Sequence, residues 1–204
     1  MPGIAPSPEG ERELLLAYLE QQRNAIVNAA YGLNDEQGRV ASSASTLTVG
    51  GLVKHITDVE GFWIGLVRSS EPGAPSPEPD AGRDADGNRD DYMDNFRMRD
   101  DETLAGLIES YRTVAAETEK TVLAVGDMSR EVPKPEGAPW FPAELTGWPV
   151  RWVLLHLIAE TARHAGHADI VREGIDGATA YPLMAAVEGW PETPWLKPWT
   201  PESD

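Results

Sequence analysis

Cysteine is absent from these 204 residues. That excludes disulfides, a thiolate metal ligand and a cysteine nucleophile, so any bound metal has to sit on nitrogen and oxygen. Cationic side chains are scarce: 17 Lys and Arg stand against 34 Asp and Glu, for a formal charge of −17. Nucleic acid and anionic membrane surfaces are held by Lys and Arg, so neither is an expected partner, and the acidity reads as a solubility feature. No apolar run approaches the length of a membrane span, and the opening Met1 to Gly10 has neither the basic nor the apolar region of a secretory leader. The expected location is the cytoplasm. A Gly-x-Ser-x-Gly elbow and a phosphate-cradling glycine loop are both missing, which leaves schemes built on a protein nucleophile without support.

What the sequence does have is one polar strip inside an apolar helix. From Trp152 to Glu173 the chain carries His156, Glu160, His164 and His167 among Val153, Leu154, Leu157, Ile158, Ala165 and Val171. At one residue per 100° the four polar groups fall within an arc of roughly 80°, on one face. A neutral polar group buried without a partner costs on the order of 2–7 kcal/mol, so these side chains have to be hydrogen-bonded, paired or metal-bound.

The rest of the chain reads as helices. Ser7-Pro8-Glu9 is a helix-start signal, and Leu15, Leu19, Ile26 and Ala30 recur at helical spacing before Gly32. After a connection with a turn of helix near Asp35 to Gly38, Thr46 or Thr48 caps a second helix running to about Arg68, with Leu52, His55, Val59, Phe62 and Leu66 in one stripe. Residues 69–100, rich in Pro, Gly and acid, form a long surface excursion. Within it Asp84 to Asp90 alternates oxygen ligands, but the glycine falls at the wrong position for a calcium loop, and a solvated acidic loop is the stronger reading. Asp100 and Asp101 open a third helix to near Gly126, and a proline-rich crossing with Trp140 and Phe141 leads to the fourth, started by Thr146 to Pro149. The expected architecture is all-α: a four-helix bundle over residues 1–177, with the long acidic loop between helices two and three. Residues 178–204 form an irregular segment in which prolines space Trp190, Trp195 and Trp199. That strip is expected to dock across the pocket mouth of its own bundle or to meet a second copy in a homodimer.

Glu160 and His164 are an i, i+4 pair, a carboxylate and an imidazole one above the other, as in helical two-ligand metal sites. His156 and His164 lie about 12 Å apart along the axis, too far to share one ion. His55, the only remaining histidine, is the candidate third ligand. A His, Glu, His set suits zinc, nickel, iron or manganese, and three protein ligands leave a position open for water or substrate. An ion there can lower the pKa of a bound water or thiol. A hydrogen-bonded polar seam without metal is the alternative.

Leu52-Val-Lys-His55 with Val59-Glu60-Gly-Phe-Trp63, and Glu160-Thr-Ala-Arg-His164-Ala-Gly-His167-Ala-Asp-Ile-Val-Arg172-Glu, resemble the DinB-like superfamily. Within it, they resemble an actinobacterial branch related to mycothiol-dependent maleylpyruvate isomerases and thiol S-transferases. The resemblance implies a divalent metal, commonly zinc or nickel, on His55, Glu160 and His164, with mycothiol as a co-substrate and a small molecule as the partner. It favours an enzyme that activates such a thiol for S-transfer or isomerisation. A metal-dependent hydrolase, with Glu60 or His167 as the catalytic proton carrier, and a non-catalytic metal or small-ligand binding protein are the alternatives.

Overall fold

A computed structural model of the chain describes residues 3–71, 73, 94–135, 141–142 and 144–201. Among them lie six helices and a two-stranded hairpin. In chain order they are α1 (Glu11–Ala29), α2 (Asp35–Gly38), α3 (Val49–Ser69), α4 (Leu104–Ala124), β1 (Glu131–Pro133), β2 (Gly147–Pro149), α5 (Val150–Asp176) and α6 (Ala180–Glu188). The long helices α1, α3, α4 and α5 pack as the bundle that the apolar spacing predicts, with α1 against α5 and α3 against both α4 and α5. This is a DinB-like helical fold, and it sets the faces of α3 and α5 against each other. No described helix is long and apolar enough to cross a membrane.

The helix ends follow local chemistry, with instructive exceptions. Thr48 is the cap of α3, its hydroxyl accepting from the Gly51 amide at 3.0 Å. For α4 the cap is Thr103, accepting from Gly106 at 3.1 Å, in place of the predicted Asp100 and Asp101. Asp35 at the start of α2 reaches across to accept from the Leu104 amide at 2.8 Å, so two otherwise unsatisfied donors of that helix end are met. The Ser7-Pro8-Glu9 signal does not start α1, whose N-cap is Gly10. The chain before it runs along the bundle: Ala5 is buried, and Gln21 of α1 donates to the Gly3 carbonyl at 2.8 Å.

The core lies along the bundle axis. At one end Trp63, Leu19, Val122, Val150, Val153, Leu154 and Leu157 form a buried cluster; further along, Ile26, Val53, Ile56, Tyr111 and Ala165 form another. Each fully buried Leu or Ile contributes on the order of 1.5–3 kcal/mol. β1 and β2 pair antiparallel, Val132 opposite Trp148, which anchors the proline-rich crossing beside the first cluster. Phe141 packs there edge-on against Trp63 and Trp148, while Trp140 lies outside the described residues.

The segment after residue 177 corrects the sequence reading. It is not irregular throughout: Gly177, at φ 73°, ends α5, and α6 follows from Ala180 to Glu188. Ala180, Leu183 and Met184 to Ala186 are good helix formers, Pro182 falls in the first turn where its missing N–H costs nothing, and the prolines that space the tryptophans begin only at Pro191. The tryptophan strip docks on its own chain, but not at the histidine cluster. Trp199 sits over the fully buried Arg172 at 4.8 Å and edge-on to Tyr31 at 5.8 Å, two turns of α5 beyond His164. Arg172 itself donates to the Ala29 and Tyr31 carbonyls at 2.8 and 2.7 Å and to Asp176, tying the C-terminal strip to the end of α1. Trp195 remains 79% exposed. The acidic stretch from Asp84 to Asp90, with its calcium-like alternation, lies outside the described residues.

Candidate metal centre

His55 projects from the middle of α3, and Glu160 and His164 from successive turns of α5. Because these faces pack together, the three side chains converge: one donor atom from each lies within 4.8 Å of the others. His164 Nε2 stands 3.2 Å from Glu160 Oε1, and His55 Nε2 stands 3.8 Å from the same oxygen. Ligands about 2.1 Å from one ion at tetrahedral angles are separated by roughly 3.4 Å, so these two spacings bracket what a shared ion requires. The donor set, two imidazoles and a carboxylate, fits a divalent ion of borderline hardness, and these residues could hold one.

The electrostatics are one-sided. The hydrogen bond to His164, and then His55 at 3.8 Å, hold the Glu160 carboxyl well below the usual carboxylate range, against the opposing effect of burial. A negative charge is thus fixed between two imidazoles that each offer a lone pair when neutral. The imidazoles are enclosed, with His55 and His164 side chains 4% and 11% exposed, whereas Glu160 is 27% exposed. Solvent therefore reaches the cluster along the Glu160 edge.

The surroundings orient His55. Phe96 stacks on its ring at 3.8 Å and 19°, placing an apolar plate against the imidazole. Phe96 arrives because residues 94–99, the described end of the acidic excursion, lie flat on the first turn of α3. A Cβ at Gly51 would overlap the Phe96 carbonyl oxygen, and one at Gly50 would meet Met98 Sδ at 2.5 Å. Lys54 fastens the segment by donating to the Arg97 carbonyl at 3.2 Å and to Glu102 at 2.8 Å. Sequence reasoning missed Phe96, since the excursion reads as too polar to pack. Two adjacent glycines inside a helical stripe were the available signal of a close backbone approach.

The remaining site candidates fall in three places. His167 adjoins the cluster, its ring 5.5 Å from that of His164, and its buried Nδ1 has no hydrogen-bond partner among the described residues. His156 stands apart, stacked on Trp152 at 5.1 Å and 5° and edge-on to Trp63 at 4.9 Å. Burial lowers its pKa, with Glu160 pulling the other way. Glu60, read as a proton carrier, makes its contacts elsewhere. Five residues beyond His55 it is turned about 140° around α3, toward α1 and α4. There it accepts from Arg23 Nε at 3.1 Å, from Arg23 Nη2 and from the Thr118 hydroxyl at 2.6 Å. It is fully buried, and its proximity joins burial in pushing the neighbouring Tyr111 hydroxyl far up.

A four-helix bundle with two imidazoles and a carboxylate converging between two of its helices defines a DinB-like protein with a candidate divalent metal centre. The family model for mycothiol-S-transferase matches residues 14–177, from α1 through the end of α5, and the chain belongs to that family. No curated protein matches the chain.

Proposed function

We propose that the protein is a metal-dependent enzyme that activates a low-molecular-weight thiol of the mycothiol type, for S-transfer to an electrophile or for a thiol-assisted isomerisation, at His55, Glu160 and His164. The observation that carries this reading is the convergence of those three donors within 4.8 Å, in a chain of the mycothiol-S-transferase family that has no thiol of its own. A bound zinc or nickel ion would supply Lewis acidity that lowers the pKa of a thiol at its open position.

The chain's own residues then have distinct tasks. His55 and His164 hold the nitrogen donors, Glu160 contributes the negative charge that partly neutralises a dication, and Phe96 keeps the His55 ring in its plane. His167, beside His164, accepts the proton that the thiol gives up and passes it to solvent. In S-transfer the sulfur lone pair forms the new C–S bond, and the leaving group departs with the electron pair of the bond that breaks. Glu60, saturated by Arg23 and Thr118, is assigned to holding α1, α3 and α4 together.

The test combines elemental analysis of untagged protein with conjugation assays. Metal-loaded protein is incubated with mycothiol, bacillithiol or glutathione and a panel of chlorinated aromatics and epoxides, with His55→Ala as control. The expected result is conjugation with mycothiol that is faster than the control. Conjugation no faster than the control with every thiol, together with metal-dependent hydrolysis of an ester or amide, moves the assignment to a hydrolase. Metal binding with neither activity moves it to a binding protein.

A further inference from the structure

Beside the candidate centre lies a ladder of rings that the chemistry above leaves unused. Trp148, at the end of the hairpin, stacks on Trp152 of α5 at 5.1 Å and 18°, and Trp152 stacks on His156 at 5.1 Å and 5°. Trp63 of α3 braces all three edge-on, at 5.2, 5.6 and 4.9 Å. The rungs continue at the same i, i+4 interval to Glu160 and His164, each step turning about 40° around α5, so the ladder leads to the candidate ligands along one slowly winding strip. Trp148 and Trp63 are buried, but Trp152 and His156 are only half-buried. His156 is the last ring, stacked on Trp152 and half-buried, and it interacts electrostatically with Glu160 one turn ahead. This is also the edge along which solvent reaches the cluster, since Glu160 is its most exposed member.

We propose that the electrophile used at this centre is a planar, electron-poor aromatic ring, stacked on His156 at the end of the ladder, on the side away from Trp152 and toward Glu160. Trp152 is stacked between Trp148 and His156, so the ring on which a substrate can stack is the His156 imidazole, backed by the electron-rich indole, and offset stacking there favours an electron-poor partner through complementary quadrupoles. An aliphatic electrophile would gain little from a wall of rings ordered parallel to within 18°. Electron-poor rings are also the aromatic electrophiles that a thiolate can attack directly. In that substitution the sulfur lone pair forms the C–S bond, chloride leaves with the C–Cl pair, and the thiol proton goes to solvent by way of His167. Trp152 and His156 are thus specificity-determining residues. The inference rests on the transferase reading for the reaction, but not for the binding of the ring.

Two measurements separate these. First, binding of the unreactive ring 1,3-dinitrobenzene to full-length protein, without thiol, is followed by equilibrium dialysis and by the shift of the His156 ring protons. Wild-type protein binds it with an upfield His156 shift; Trp152→Leu and His156→Leu bind it about three- to tenfold more weakly, and Trp152→Phe recovers most of the loss. The phenylalanine variant keeps a ring in the core and guards against a leucine variant that fails to fold. Second, the ratio of kcat/KM for 1-chloro-2,4-dinitrobenzene to that for an aliphatic epoxide, with mycothiol, falls by a similar factor in Trp152→Leu. Equal dinitrobenzene binding in all variants, no shift at His156, or an unchanged ratio overturns the proposal. Ring binding that tracks Trp152 and His156 with no thiol conjugate from any electrophile supports the aromatic site and removes the transferase reading.

Discussion

Glu60 and Glu160 stand on helices that pack face to face, yet the two carboxylates are placed in opposite circumstances. Glu60 is wholly buried, and its oxygens accept from a guanidinium and a hydroxyl. Burial works against the charge on Arg23, but Glu60, by charge and hydrogen bond, more than restores it. Arg23 never gives up its proton, so that pair is closed to exchange. Glu160 keeps part of its surface in water, and its partners are imidazoles, whose ring nitrogens can hold either a proton or a metal ion. Burial of charge therefore does not by itself mark a site; the exchangeability of the partner does. The same helix, α3, supplies a strut at Glu60 and a candidate ligand at His55, separated only by their angle around the axis.

The largest effect should come from breaking the exchangeable side of this contrast. His55→Ala and His164→Ala are each expected to reduce metal content from about one divalent ion per chain, the stoichiometry of a single three-ligand site, to near zero, as read by elemental analysis of folded protein. Chelation of the wild type should lower its melting temperature, because an ion that binds only the folded state stabilises that state by mass action. Retention of a full equivalent of metal by either variant would mean that the donors were chosen wrongly.

Breaking the closed side should do the reverse. Glu60→Leu leaves the buried Arg23 with only the part-exposed Glu20, at 3.1 Å, as counter-charge, and removing one partner of a buried pair costs about 3–5 kcal/mol. For a chain of this size that corresponds to a fall in melting temperature of roughly 6–20 °C. The variant should still bind close to its full complement of metal below that temperature. Loss of metal from folded Glu60→Leu would erase the distinction between the two carboxylates.

The Glu160 side of this contrast was legible in the sequence; the Glu60 side, read there as a proton carrier, was not, for a physical reason. The four bundle helices and the His55, Glu160, His164 cluster follow from periodicity, because a polar group on an apolar stripe can be projected onto a face without knowing what it faces. Whether a carboxylate meets an arginine or a histidine depends on the neighbouring helices. Arg23 stands among the polar residues Glu20, Gln21 and Asn24 of α1, and its inward turn toward Glu60 leaves no mark in local spacing. Phe96 was hidden for the same reason, in a segment whose composition is that of a solvated loop but whose end is pinned by Lys54 and seated on Gly50 and Gly51. The helix from Ala180 to Glu188 was obscured by the prolines that follow it.

His156 sharpens the comparison at lower amplitude. It interacts electrostatically with Glu160, but its ring is committed to Trp152 and Trp63 rather than to the cluster. His156→Ala is therefore expected to weaken metal affinity by no more than about tenfold, the lower end of what loss of an outer partner costs a metal site, measured by competition with a chelator. A complete loss of metal would make His156 a ligand and displace His164, with which it cannot share one ion.

Asp169 offers the smallest and most specific test, because it is a carboxylate of α5 whose shift comes from burial and from a like charge. Burial first, and then Glu173, push its pKa up to about 6. An unfolded aspartate titrates near 3.9, so between roughly pH 4 and pH 6 the folded chain holds the proton more tightly than the unfolded one. Folding stability is therefore lost as pH rises through that window, the opposite direction to Glu160, whose lowered pKa contributes stability above its unfolded value that is lost on acidification. Asp169→Asn removes the penalty. Its melting temperature should exceed that of the wild type at pH 8 by about 1–2 °C, a figure kept small because the carboxylate is partly in solvent and screened. The advantage should shrink between pH 6 and pH 4 and vanish below it. A variant with the same advantage at pH 4 as at pH 8 would show that packing, not ionisation, governs this position.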